Sequence, residues 1–135
     1  MTELDGYGFT EKFAAPLYDM LYAMYSGINI DQHWELNKDA ILPFSPNQVT
    51  VRKAFQTLGT EWGRDVLGNN IWSNLLCARI AEFPNIFDPV TVANAVIAVS
   101  DCRFINEITT VRERFTNVEV WAVIRNAATP QLSHR

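Results

Sequence analysis

The sequence predicts an α/β fold, on three observations. Ala95-Val96-Ile97-Ala98-Val99 is a continuous apolar run, the pattern of a strand buried on both faces of a mainly parallel sheet. Helical spacing follows in Ile108, Val111 and Phe115, and Val118-Glu119-Val120-Trp121-Ala122-Val123-Ile124 then returns to a β-branched, partly alternating strand pattern. Strand, helix and strand in about thirty residues make a βαβ unit, which joins parallel strands through a right-handed crossover.

Upstream elements fit this class. Tyr7 to Ala14 is short and carries Phe9 and Phe13, and it reads as a strand despite Thr10, Glu11 and Lys12. Pro16 suits a first helical turn, and Leu17, Met20, Leu21 and Met24 follow at helical spacing until Gly27. Residues 28–46 are less regular, with one helix expected around Asp31 to Asn37 and a loop at Pro43 and Pro46. Val49 to Leu58 is helical again, and Gly59, Gly63 and Gly68 are expected to interrupt it. Asn69 or Asn70 can cap the next helix, whose apolar face is Ile71, Leu75, Leu76, Ile80 and Phe83, with Pro84 ending it. A loop through Asp88 and Pro89 leads to the apolar strand.

Composition narrows the class of function. At 135 residues, 48% apolar and 19% charged, the chain is expected to be one ordinary soluble domain. A net charge of −4 and the lack of a basic stripe argue against a nucleic-acid polymer as partner. No run of about 18 apolar residues predicts a membrane span. Glu3 and Asp5 stand where a secretory leader would be basic. Cys77 and Cys102 lack metal-ligand or disulfide spacing, so a reduced, cytoplasmic setting is expected.

Two clusters are candidates for chemistry. The first is Gln56-Thr57-Leu58-Gly59-Thr60-Glu61-Trp62-Gly63-Arg64, which gathers an amide, a hydroxyl, a carboxylate, an indole and a guanidinium. Glu61 and Arg64 are three apart and can pair with each other. Gln56 and Thr60 can read a base edge and a phosphate or cap a broken helix. Trp62 and Trp72 can stack on a base, although core or rim positions are commoner for tryptophan.

The second cluster is Ser100-Asp101-Cys102-Arg103-Phe104-Ile105-Asn106-Glu107, at the carboxyl end of the apolar strand, where open α/β folds bind ligands. There a carboxylate can hold hydrated magnesium against phosphates, and a guanidinium can grip phosphate oxygens. The competing reading makes Asp101 or Asn106 a helix cap and Arg103 a solvated side chain. His33 and His134 have no catalytic spacing, Asp101 beside Cys102 opposes a reactive thiolate, and Arg112 and Arg114 read as a solvated face.

Taken together, Phe13-Ala14-Ala15-Pro16-Leu17, Gln56-x-x-Gly59-Thr60-Glu61-x-Gly63-Arg64 and Ser100-Asp101-x-Arg103-Phe104-x-Asn106-Glu107 resemble the phage-type deoxynucleoside monophosphate kinases. The resemblance runs in order from about Tyr7 to Arg125. It implies a P-loop-kinase-like three-layer fold and transfer of the ATP γ-phosphoryl group to a deoxynucleoside monophosphate. Gln56, Thr60, Glu61, Trp62 and Arg64 would then bind the acceptor nucleotide. Asp101 and Arg103 would be catalytic, Asp101 also holding Mg2+. Arg125 matches a family arginine and is placed with the cofactor residues, its role left open. The family's G-x-x-x-x-G-K-[ST] phosphate loop and its central strand have no counterpart here, since Gly6, Gly8 and Lys12 do not meet the spacing. The resemblance therefore implies an incomplete ATP site and a chain inactive alone, or a non-catalytic nucleotide-binding or interaction module. The gap in the sheet makes a homo-oligomer an expectation too.

Overall fold

A computed structural model describes residues 2–3, 8–30 and 33–124. It is a mixed α/β structure in which β1 (Thr2–Glu3) pairs antiparallel with β2 (Gly8–Glu11), and β2 pairs parallel with β3 (Val96–Val99). Helices α1 (Ala15–Met24), α2 (Val51–Gln56), α3 (Ile71–Ala81), α4 (Phe83–Ile86), α5 (Pro89–Asn94) and α6 (Ile105–Arg114) and a π-helix (Thr57–Leu67) supply the rest.

The expected strand near Tyr7–Ala14 exists as β2, and α1 carries Pro16 in its first turn as anticipated. The chain leaves α1 through Gly27, whose φ of 83° is the left-handed conformation that costs glycine nothing. In the β2–β3 register Phe9 faces Ile97 and Glu11 faces Val99. Phe9 and Glu11 are buried, and Ile97 and Val99 are half-buried.

Two strand expectations are corrected. β3 is not buried on both faces, because Val96 and Ala98 stand exposed and burial alternates along the strand. An apolar run shows affinity for a covered surface, and here only one face of the strand is covered. Residues 118–124 form no strand, and among the described residues no backbone hydrogen bond joins them to another segment. Strand propensity measures fit to a pleated neighbour, and without one Trp121 and Val123 lie 81% and 97% exposed. The βαβ unit therefore does not close onto this segment. The expected helix around Asp31–Asn37 is replaced, among its described residues, by turns in which His33 O accepts from Leu36 N and Asn37 N.

Helix boundaries shift for local reasons. Pro84, expected to end a helix, and Pro89, expected in a loop, instead stand in the first turns of α4 and α5, as a residue without an amide donor can. α3 turns Trp72, Ser73, Leu76 and Cys77 inward and leaves Leu75 exposed, a rotation from the expected face. Two apolar clusters form the core. Leu21, Tyr25, Trp34, Leu42 and Val51 make one, and Phe13, Leu17, Trp72 and Leu76 make the other, with Phe55 packed against both.

Candidate functional site

The helix expected to break at Gly59 and Gly63 instead continues through both, widening into a π-helix that stops at Gly68, where φ is 138°. Its last turn is closed by Gly68 N donating to Gly63 O at 3.1 Å, a bond across five residues. The two glycines make room for Trp72. Its Nε1 donates to Gly59 O at 2.8 Å, and a Cβ on Gly63 would fall 2.3 Å from the indole. Trp72 is therefore a core residue that fixes this helix against α3, and it forms part of the cleft lining.

Residues four apart on this helix, Gln56, Thr60 and Arg64, reach one cleft of about 350 Å³. From the turn between β2 and α1 come Lys12 and Phe13, from α1 Tyr18, from the irregular segment Lys38, from α2 Arg52 and Phe55, and from the β3–α6 junction Asp101, Arg103, Phe104 and Glu107. Both candidate clusters thus meet in one place. Glu61 and Trp62 do not join them, since both are exposed and neither lines the cleft, Trp62 being 43% exposed on the opposite side of the helix. Arg125 lies outside the described residues, as does His134.

Asp101 caps a helix, but α1 instead of the one that follows it in sequence. Its Oδ1 accepts from Phe13 N at 2.8 Å and its Oδ2 from Ala14 N at 3.0 Å. Glu107 does the equivalent for α6, its Oε1 accepting from the amides of Arg103 and Phe104 at 2.9 Å each. Its Oε2 lies 3.5 Å from Arg64 Nη2, and the guanidinium sits 4.1 Å from the centre of the Phe104 ring. Arg64 thus pairs with Glu107 rather than with Glu61, its neighbour three residues away. Asn106 does not cap α6 and instead donates to Asn70 Oδ1 at 2.9 Å, tying α6 to the turn before α3.

Electrostatically the cleft departs from the rest of the chain. Five of the 11 basic residues line it (Lys12, Lys38, Arg52, Arg64 and Arg103) against the carboxylates Asp101 and Glu107, although the whole chain carries −4. Arg52 is engaged by Asp39 at 3.1 Å, and Lys12 lies 3.7 Å from Glu35. Among the described residues no carboxylate pairs with the side chains of Lys38 or Arg103. The aromatic wall is Tyr18 against Phe55, edge to face with centroids 4.4 Å apart. Burial, then Glu35 and Asp101, push the Tyr18 phenol up, with Arg103 acting in the other direction. Cys102 is exposed, but partial desolvation of its thiol, then Glu107 and Asp101, push it up, so it is not activated as a thiolate.

Among the described residues no group of three or more potential ligand side chains could hold a metal ion by itself. Magnesium bound through waters and substrate phosphates needs only one or two carboxylates. Each Asp101 oxygen has given one acceptor position to an amide and keeps another, so Asp101 fits that reduced role. Lys12, Tyr18, Lys38 and Phe55 escaped the sequence reading. In the sequence Lys12 is one of the polar residues of a strand pattern and fails a phosphate-loop spacing, and Lys38 lies in the irregular segment, where no periodicity marks it.

No family model, no curated protein and no solved structure matches the chain. Among the described residues no helix is long and apolar enough to cross a membrane.

Proposed function

We propose that the cleft binds a deoxynucleoside monophosphate. The observation that carries this reading is the gathering of five cations beside an aromatic pair, in a cleft of about 350 Å³, on a chain of net negative charge. A phosphate monoester needs guanidinium or ammonium donors, and a base needs an apolar flat wall with an amide at its edge. Arg64, Arg103 and Lys12 supply the first. Tyr18, Phe55 and Gln56 supply the second, while Thr60 offers a hydroxyl donor.

The wider activity, phosphoryl transfer from ATP, rests on the resemblance, as do the three-layer fold and the acceptor roles first given to Glu61 and Trp62. In that reading Arg103 stabilises charge on the transferring group, and the protein otherwise positions its reactants. Asp101 would hold Mg2+, whose chemistry there is neutralisation of phosphate oxygens. The chain alone is proposed to bind the acceptor without turnover. Self-association belongs to the same proposal, supported by the exposed apolar side chains of Val120, Trp121, Val123 and Ile124.

Calorimetric titration of the purified chain with deoxynucleoside monophosphates, with ATP and with inorganic phosphate separates these readings. Saturable binding of the monophosphates, tighter than that of inorganic phosphate, is expected; equal weak binding of all three would reduce the cleft to a general anion site.

A further inference from the structure

The turn that carries Lys12 into the cleft is held from two sides. On one side Asp101 takes the amides of Phe13 and Ala14. On the other, α3 sends out Arg79, whose Nη2 donates to Lys12 O at 2.7 Å while its Nε donates to Glu11 Oε1 at 3.2 Å. The Lys12 amide also donates to that Glu11 oxygen, at 3.2 Å. The Glu11 side chain is 4% exposed at the end of β2, and Arg79 reaches it from a partly exposed position on α3, its side chain 31% exposed. Arg79 itself does not line the cleft.

A basic residue in the last turn of a helix ordinarily faces solvent and the helix dipole. Arg79 instead uses the planar fork of its guanidinium to hold a carboxylate and a carbonyl at once, which a lysine's single ammonium does with poorer geometry. We propose that Arg79 is a positioning residue for the cleft. It fixes the Lys12–Ala14 turn and, through it, the placement of Lys12 and of the Asp101 carboxylate against a bound phosphate, a role that rests on the deoxynucleotide reading above. Without Arg79 the turn keeps Asp101 and the packing of Phe13 on Trp72 and Leu76 but loses its hydrogen bonds to α3, and the ordering of Lys12 that it then needs is charged to ligand binding.

The test uses Arg79→Met, Arg79→Lys and, as a control, Phe83→Leu, a substitution of a core residue that makes none of the turn's hydrogen bonds and lies outside the cleft lining. Two quantities are measured: calorimetric affinity for a deoxynucleoside monophosphate, and hydrogen exchange of the Phe13 and Ala14 amides in the free protein, with Leu76 as internal reference. Arg79→Met is expected to lose about tenfold in affinity, the lower end of what removing an orienting outer contact costs, and to lose protection at Phe13 and Ala14 but not at Leu76. Arg79→Lys recovers part of both, and Phe83→Leu lowers the melting temperature with affinity unchanged. Should Arg79→Met alone not fold, the double variant Glu11→Gln, Arg79→Met removes the carboxylate left behind and gives the same readouts. Unchanged protection and affinity in Arg79→Met, or an equal affinity loss in Phe83→Leu, overturns the proposal. If the wild-type chain binds no deoxynucleotide while Arg79→Met still exposes the two amides, the ligand reading fails and the tie to the turn stands.

Discussion

Asp101 holds Phe13 across 88 residues of chain, its Oδ1 2.8 Å from the Phe13 amide while Oδ2 takes the next amide at 3.0 Å. The end of the parallel strand is thereby fastened to the start of α1, and the cleft lies at that junction. Asp101→Asn keeps one acceptor but turns an amide NH2 toward the other N–H. A hydrogen bond to a charged group is worth about 1.5–3 kcal/mol, so Asp101→Asn is expected to lose up to about that much stability in urea unfolding. A loss below about 0.5 kcal/mol, the usual range for surface positions, would show that the two amides do not depend on the carboxylate.

Gly63 and Gly59 separate by a simple substitution. Alanine at Gly63 meets the Trp72 indole at 2.3 Å, whereas alanine at Gly59 meets only the tip of Leu17, at 3.2 Å. Overpacking costs about 1–3 kcal/mol, and replacing a helical glycine returns about 1 kcal/mol. Gly63→Ala is expected to be clearly destabilising and Gly59→Ala close to neutral in thermal melts. Equal effects at the two sites would contradict the close approach of Trp72.

Arg64 and Arg103 line one cleft in different settings. The Arg64 guanidinium is paired with buried Glu107, while Arg103 is exposed. Arg64→Met leaves Glu107 without its cation and is expected to lower both stability and deoxynucleotide affinity. Arg103→Ala is expected to leave stability within about 0.5 kcal/mol and to lower affinity about tenfold or more, as loss of a charged hydrogen bond worth about 1.5–3 kcal/mol implies. Calorimetry beside urea unfolding checks both, and an Arg103→Ala chain that binds as the wild type does would remove Arg103 from the site.

Alkaline pH provides an independent test. Burial raises the Tyr25 phenol, which donates to Pro43 O at 2.8 Å, and burial also raises Tyr18 and Cys77. Each group keeps its proton longer in the folded chain than in the unfolded one, so the folded state binds more protons and stability falls as pH rises. The contribution is complete below the ordinary values of 9.0 for the thiol and 10.0 for the phenols and is lost through the raised ones. Unfolding free energy is expected to decline above about pH 9, less steeply in Tyr25→Phe. A flat or rising profile there would be inconsistent with these burials.

What could be read from the sequence was whatever local pattern controls. The helical spacing of Leu17 and Leu21 and the proline at position 16 marked α1, and the order of residues at 100–107 placed Asp101 and Arg103 at a strand end. What could not be read depends on partners distant in sequence. Residues 118–124 have every local mark of a strand, yet a strand needs a neighbour that no local pattern guarantees. The glycines at 59 and 63 suggested breaks because the indole that fills their groove comes from another helix. The sequence offers Asp101 as a cap for the helix that follows it, whereas the helix start it holds, that of α1, is nearest in space. Glu61 and Trp62 share a motif with Arg64, but helical geometry turns Trp62 to the opposite side and leaves Glu61 exposed off the cleft.

The central claim is that the two clusters form one binding cleft for a deoxynucleoside monophosphate, and amide chemical shifts during an NMR titration with that ligand test it most directly. Saturable shifts at Lys12, Thr60, Arg64 and Arg103, with Trp62 and the exposed 118–124 segment unmoved, are the predicted result. No saturable shift, or shifts centred on Trp62 and away from Arg64 and Arg103, would contradict it.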